Sequence, residues 1–378
     1  MNKQILIIAG EASGDMHGVG LIKELRRINP QVSFFGMGGD KMREAGVETF
    51  YHINQLSFMG FFEVLENLGF FREVMKKMTQ ILDERKPDLA ILIDYPGFNL
   101  KLAEEIKKRK ILILYYISPQ VWAWGKGRIK KIKKLVDKMI VFFPFEEKIY
   151  KDAQVDVDFI GHPLLDVVKT SLTPDEFRNK FGIEKDQILI GLFPGSRALE
   201  VEKILPIMLS SCEIMKSKIK DLKVAVSLAP TIEKDYLVSF LTQKRLEVVL
   251  VEKFTYDLMR YSDFLLVKSG TSTLEAAIIG TPFVVIYKTG FLTWLVARSL
   301  VKVPYIGMVN LISGKKIVPE FVQYEAKPEK IAGEMYQFLT DKEKYQKMKD
   351  ELSAVKEKLG EKGAYKRGAE IVFRMLGE

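Results

Sequence analysis

Two carboxylates in this 378-residue chain stand where they can meet an alcohol, one to deprotonate it and one to hydrogen-bond it. Asp94 closes the apolar run Ile91-Leu92-Ile93 and precedes Tyr95-Pro96-Gly97-Phe98-Asn99. A carboxyl at the edge of a buried strand is partly desolvated, which raises its pKa and suits a general base. The alternative is an Asx-type turn initiator ahead of Pro-Gly. Glu11, in Gly10-Glu11-Ala12-Ser13-Gly14-Asp15, is spaced either to hydrogen-bond a sugar hydroxyl or to cap the helix beside it. Asp15 reads as a first-turn partner of that helix's dipole.

A second set of residues suits a nucleotide. Pro194-Gly195-Ser196-Arg197 and Lys268-Ser269-Gly270-Thr271-Ser272 are small-residue turns, each ahead of a helix. Both offer backbone N–H groups and hydroxyls at a positive helix end, so the pair suits a diphosphate, with Arg197 neutralising its charge. Glu275, one turn further on, either accepts ribose hydroxyl protons or is simply favoured there by the helix dipole. Asn310, in Asn310-Leu311-Ile312-Ser313-Gly314, and Gln323, in Pro319-Glu320-Phe321-Val322-Gln323, read as amides in a loop after the fifth strand of this half. His17, His52, His162 and Cys212 are too scattered to form a metal-ligand group, and Asp156-x-Asp158 reads as structural.

Alternating strand and helix patterns must position these groups. Strand-like runs fall at Gln4 to Ala9, Ser33 to Gly36, Asp88 to Ile93, Lys110 to Ile117 and Lys138 to Phe143. They resume at Gln187 to Phe193, Leu222 to Leu228, Leu246 to Val251, Asp263 to Val267 and Phe283 to Tyr287. The fold class is therefore α/β: two Rossmann-like, doubly wound parallel-sheet domains with C-terminal helices from Pro328 onward. The junction lies between about residues 163 and 185, giving domains 1–170 and 171–343, with helices 344–378 packing on an N-terminal domain, the chain's own or a partner's. Ligands of such sheets bind outside the carboxyl ends of the strands, where Asp94, Glu11 and both small-residue turns lie.

A single cysteine and an N-terminal strand with no cleavage site lead us to expect a reducing, cytoplasmic compartment. No apolar run reaches the length of a spanning helix. The net charge of +9 favours an anionic partner without naming it. Two segments suit a membrane surface. Phe58-Met59-Gly60-Phe61-Phe62 through Phe70-Phe71 is either a surplus apolar surface for acyl chains or a helix buried on two sides. Trp122 and Trp124 precede Lys126, Arg128, Lys130 and Lys131 on a helix with Ile129, Ile132, Leu135 and Val136 on one face; the charges either meet anionic headgroups or are a solvated face. No nucleic-acid module surrounds this helix, so nucleic acid is not an expected partner.

GEASGD, IDYPGFN, SPQVWAW, FIGHPL, LFPGSR, SGTSTLE and NLISG…VPEFVQ, in that order over nearly the whole chain, resemble the signature segments of the lipid-A-disaccharide synthase family. The resemblance implies a GT-B glycosyltransferase with its two domains facing a cleft. Such an enzyme joins UDP-2,3-diacylglucosamine to 2,3-diacylglucosamine 1-phosphate with inversion, releases UDP, and needs no metal or other cofactor. It also implies work at the inner face of the inner membrane as a peripheral protein, and is compatible with a homodimer. Carried over, Glu11 and Asp94 match the acceptor-side acids, with the choice of general base between them left open. Arg197, Glu275 and Asn310 match donor-side positions. Gly195, Ser196, Ser269, Gly270 and Thr271 go with the diphosphate, Glu275 with the ribose, and Asn310 and Gln323 with the donor sugar or phosphate. The alternatives are another UDP-sugar enzyme, a UDP-N-acetylglucosamine 2-epimerase or a MurG-like transferase, and a non-catalytic basic binding protein.

Overall fold

Strands that are apolar at every position need cover on both faces, and a parallel sheet flanked by helices supplies it. The structure, a computed structural model, describes residues 3–56, 68–123, 125, 127–242, 246–290, 294 and 304–377. It divides into two compact units, residues 1–163 with 359–378 and residues 164–358.

The first unit contains β1 (Gln4–Ala9), β2 (Ser33–Gly38), β3 (Glu48–His52), β4 (Leu89–Ile93), β5 (Leu112–Tyr116), β6 (Lys138–Val141) and β7 (Val157–Phe159). They pair in parallel in the order β3-β2-β1-β4-β5-β6-β7. Strand residues alternate between two cores. Ile5, Ile7, Ile91 and Ile93 share one with the helices Ala12–Ile28 and Ala364–Met375, and Leu6, Ile8, Ala90 and Leu92 share the other with Leu68–Arg85 and Pro96–Lys108. The second unit repeats the plan with β8 (Ile188–Phe193), β9 (Leu222–Leu228), β10 (Val248–Glu252), β11 (Phe264–Lys268), β12 (Phe283–Tyr287) and β13 (Glu320–Val322), ordered β10-β9-β8-β11-β12-β13 and parallel throughout.

The runs read from sequence form the interior of both sheets and one edge strand, β10. The strands not anticipated, β3, β7 and β13, are all edge strands, mostly half-buried, and so lack a continuous apolar run. Unit boundaries also differ from the expected 170/171 and 343/344. Residues 164–172 belong to the second unit because the backbone N–H groups of Ser171 and Leu172 donate to Asp257 at 2.8 and 2.7 Å. Lys342–Lys358 stays there too, packing on Thr271–Ile279 and Met308–Ser313. Only residues from Leu359 join the first unit, where Ala364–Met375 packs on Ala12–Ile28. No helix among the described residues is long and apolar enough to cross a membrane.

Asp15 stands in the first turn of its own helix, as read, and does more there. It is buried and accepts from the backbone N–H groups of Gly39, Met42 and Lys41 at 2.7, 3.1 and 3.3 Å, so it also caps the next helix, Asp40–Glu44. Asp15→Ala strands those donors in the interior and should lower the unfolding free energy by about 2–4 kcal/mol in urea titration. An unchanged transition would show that the clamp contributes nothing.

Candidate functional site

The strand order reverses beside β1 in the first sheet and beside β8 in the second, and at such a point adjacent loops diverge to leave a crevice. Ala9 pairs with Ile93, so the loops carrying Glu11 and Asp94 emerge side by side. Asp94 and Tyr95 have φ of 42° and 44°, two consecutive non-glycine residues in the left-handed region. The backbone is held there from several sides. The Asp94 carbonyl accepts from the Tyr115 hydroxyl at 2.6 Å and the Asn99 amide at 2.7 Å, and Asn99 also reaches the Ile93 carbonyl at 3.1 Å. The Tyr95 ring lies over Gly10, where a Cβ would sit 2.3 Å from it, which explains the glycine at this position.

Burial, reinforced by the charge of Glu11, lifts the Asp94 carboxyl to about 6, while the Tyr95 backbone N–H and Arg128 pull it down. Glu11 is exposed and is the N-cap residue of Ala12–Ile28, but its side chain makes no capping hydrogen bond. Two groups at this end of the sheet escaped the sequence reading. Glu146, after β6, is pushed up to about 8 by burial and accepts from the Trp122 indole N–H at 3.2 Å. Ser118, after β5, shares a 2.9 Å hydrogen bond with the Tyr150 hydroxyl. A glutamate directly after Phe142-Phe143-Pro144-Phe145, just past a strand, was the available signal for Glu146.

In the second unit Phe193 pairs with Val267, so the turns 194–197 and 268–272 are neighbours. All of their residues except Ser269 line a cavity of ≈ 890 Å³ that also includes Glu275, Tyr256 and Glu200. Arg197 is 83% exposed and extends from the rim, while Ser269 is buried, with its hydroxyl on the Ile306 carbonyl at 3.3 Å. Glu275 accepts from the Tyr256 hydroxyl at 3.0 Å, and burial raises its pKa.

Asn310 and Gln323 are not in this cavity's lining but in buried clamps. Asn310 lies on the helix Met308–Ser313; its amide donates to Val318 and Glu320 and accepts from Ile317 and Val318 at 2.8–3.0 Å. Gln323 closes two hydrogen bonds on the Thr289 backbone, at 3.0 and 2.8 Å. The need to satisfy buried loop backbone explains both amides.

Among the segments read for a membrane, Phe58, Met59, Phe61, Phe62, Trp124 and Lys126 lie outside the described residues. Phe70 and Phe71 pack on the first unit's own core, Phe71 edge-on to Phe98. The helix Arg128–Leu135 buries Ile132 and Leu135, so its apolar face is used internally. Lys130 is exposed, Lys131 pairs with Glu104 at 2.7 Å, and half-buried Arg128 acts electrostatically on Asp94.

The fold has well-matched relatives. The calicheamicin glycosyltransferase CalG4 superposes with a TM-score of 0.65 at 13% identity, covering 100% of this chain and 99% of its own. A UDP-N-acetylglucosamine 2-epimerase from Neisseria meningitidis, solved with UDP-GlcNAc, gives 0.62 at 14% identity over 99% and 100%. Two doubly wound parallel sheets of this kind define the GT-B class of glycosyltransferase folds. Sequence goes further: residues 5–372 match the family described as lipid-A-disaccharide synthetase. The lipid-A-disaccharide synthase of Trichlorobacter lovleyi is 44% identical over 374 residues, 99% of this chain and 98% of its own. The chain belongs to the lipid-A-disaccharide synthase family, a family of glycosyltransferases.

A carboxyl lifted from 3.8 to about 6 is ionised at the expense of the fold. Because the folded-state value is raised, the penalty is absent below about pH 4, grows through pH 6 and is complete above it. Asp94→Asn should therefore stabilise the protein by about 1–3 kcal/mol at pH 7.5 and by nothing at pH 4, as read from denaturation midpoints. A stability difference independent of pH would show that the Asp94 carboxyl is not desolvated.

Proposed function

We propose that this protein transfers a diacylglucosaminyl group from UDP-2,3-diacylglucosamine to the 6-hydroxyl of 2,3-diacylglucosamine 1-phosphate. The products are the β(1→6) disaccharide 1-phosphate and UDP. Family membership names the reaction, and the observation that carries the mechanism is the pair Glu11 and Asp94 at the strand-order reversal of the first sheet, with Asp94 titrating near 6.

On this reading the first unit receives the acceptor. Asp94 takes the proton of the 6-hydroxyl as that oxygen attacks the anomeric carbon, and the bond to the UDP oxygen breaks on the opposite face, inverting the centre. A base with a pKa near 6 is ionised at neutral pH yet basic enough to share the proton in the transition state. Glu11 keeps Asp94 in that range and is free to bind a sugar hydroxyl. The second unit holds UDP: Glu275 takes the ribose, and the turns at Gly195-Ser196 and Gly270-Thr271 hold the diphosphate, with buried Ser269 bracing the second turn on the Ile306 carbonyl. Arg197, extended at the rim, is suited to meet the charge that develops on the leaving group.

Both substrates carry acyl chains that are costly to move through water, at about 0.8 kcal/mol per CH₂, so the enzyme works at a membrane surface. The exposed Lys130, Lys133 and Lys134 and the net charge of +9 favour an anionic inner leaflet. This contact is electrostatic, since the helix's apolar face is buried.

Incubation with both diacylated substrates should give the disaccharide phosphate by mass spectrometry; UDP release from an unacylated UDP-sugar alone would sink the assignment. The plot of kcat/KM against pH should lose a factor of ten per unit below about pH 6, because the base must be ionised, and Glu11→Gln should move that limb to lower pH. Asp94→Asn should lose about 100-fold or more in kcat with UDP affinity near wild type, whereas Arg197→Ala should weaken UDP binding roughly 10-fold or more. Normal turnover in Asp94→Asn would move the base to Glu11.

A further inference from the structure

The turn assigned to the diphosphate already holds an anion. Glu200, in the first turn of the helix Ala198–Lys216, folds its carboxylate back over Gly195 and Ser196. One oxygen accepts the Ser196 backbone N–H at 3.2 Å and lies where a Cβ on Gly195 would be 2.4 Å away, so a side chain there would evict it. Gly195 has φ of +118°, the left-handed side of the map, which also favours glycine. The other oxygen meets the Lys268 ammonium at 2.8 Å and stands 4.0 Å from the Arg197 guanidinium.

Lys268 ends β11 and leads into the second turn, with its ammonium 3.4 Å from where a Gly270 Cβ would stand. It therefore bridges the two turns. Unlike Arg197, it is mostly withdrawn from solvent, 20% exposed against 83%. A partly desolvated ammonium needs a counter-charge, and Glu200 is the group that supplies it. The carboxylate thus contacts the N–H donor and the cation that a phosphate would seek.

We propose that Lys268 is the second cation of the diphosphate site and that Glu200 is its placeholder, an internal anion that yields Ser196 N–H and Lys268 to the diphosphate of an incoming UDP-sugar. The exchange keeps donor and cation partnered in both states, so the site is organised before ligand arrives. It also leaves a competing carboxylate beside the departing UDP, ready to retake its partners when product leaves. No covalent step is involved.

The inference rests on the reading of this cavity as a UDP site and is tested with the full-length protein by calorimetric titration with UDP and UMP. Lys268→Gln should weaken UDP binding roughly 10–100-fold and erode the preference for UDP over UMP, and Lys268→Arg should recover most of it. Glu200→Gln keeps the side chain's shape and removes its charge, so UDP should bind about 10-fold more tightly and dissociate more slowly. Wild-type UDP affinity in Lys268→Gln, with an unchanged circular dichroism spectrum, would overturn the assignment of Lys268. Weaker UDP binding in a folded Glu200→Gln would overturn the placeholder, because Glu200 would then organise the site rather than compete for it. Failure of the wild-type protein to bind UDP at all would remove the reading of the cavity, and this inference with it.

Discussion

A parallel strand buried on both faces can offer chemistry only at its ends, and everything functional in this chain follows from that constraint. Ile5 to Ala9 and Leu89 to Ile93 have no exposed side chain. The first polar groups past β1 and β4 are therefore the ones that meet solvent, and because the two strands are paired in register those groups are Glu11 and Asp94. The second sheet applies the same rule to β8 and β11 and obtains two small-residue turns instead of two acids. One architecture thus yields an acidic end suited to a hydroxyl and a donor-rich end suited to a diphosphate, by the choice of a few loop residues.

The local cost is concentrated at Asp94. A left-handed pair of non-glycine residues and a desolvated carboxylate each oppose folding, and the surrounding side chains offset them through the backbone. Asn99 and Tyr115 spend their hydrogen bonds on the Asp94 carbonyl, fixing the loop by its backbone. The nearby Glu146, pushed up to about 8, stays protonated at neutral pH, so burial gives the two carboxyls different charge states at one end of one sheet.

What could be read from sequence depended on whether a residue acts through its neighbours in the chain. Sheet interiors were legible because burial on both faces writes a continuous apolar run; of the edge strands only β10 keeps such a run, and in β3, β7 and β13 half-burial erases it. Asp94 and the turns at 195–197 and 269–271 were legible because strand, turn and helix are consecutive there. Asp15 and Asn310 have partners that the sequence hid for one reason: each looks like a local loop or helix-end group, yet it also accepts from backbone donors reached only after folding, 24 to 27 residues away for Asp15 and 7 or 8 for Asn310. The basic helix was open to two readings for a different reason, since an amphipathic pattern does not say whether the apolar face meets a membrane or the protein's own core.

The same distinction explains why Glu200 and Lys268 drew no attention. On sequence alone, a glutamate in a helix first turn is accounted for by the dipole, and a lysine ending a strand by solvation. Neither explanation survives the 2.8 Å contact between residues 68 positions apart, made beneath two turns that offer donors to an anion. A helix that wanted only a favourable first-turn charge would leave that carboxylate in water. Here it is drawn inward over a glycine that must lack a side chain to admit it, and that arrangement is understandable if the place is built for negative charge.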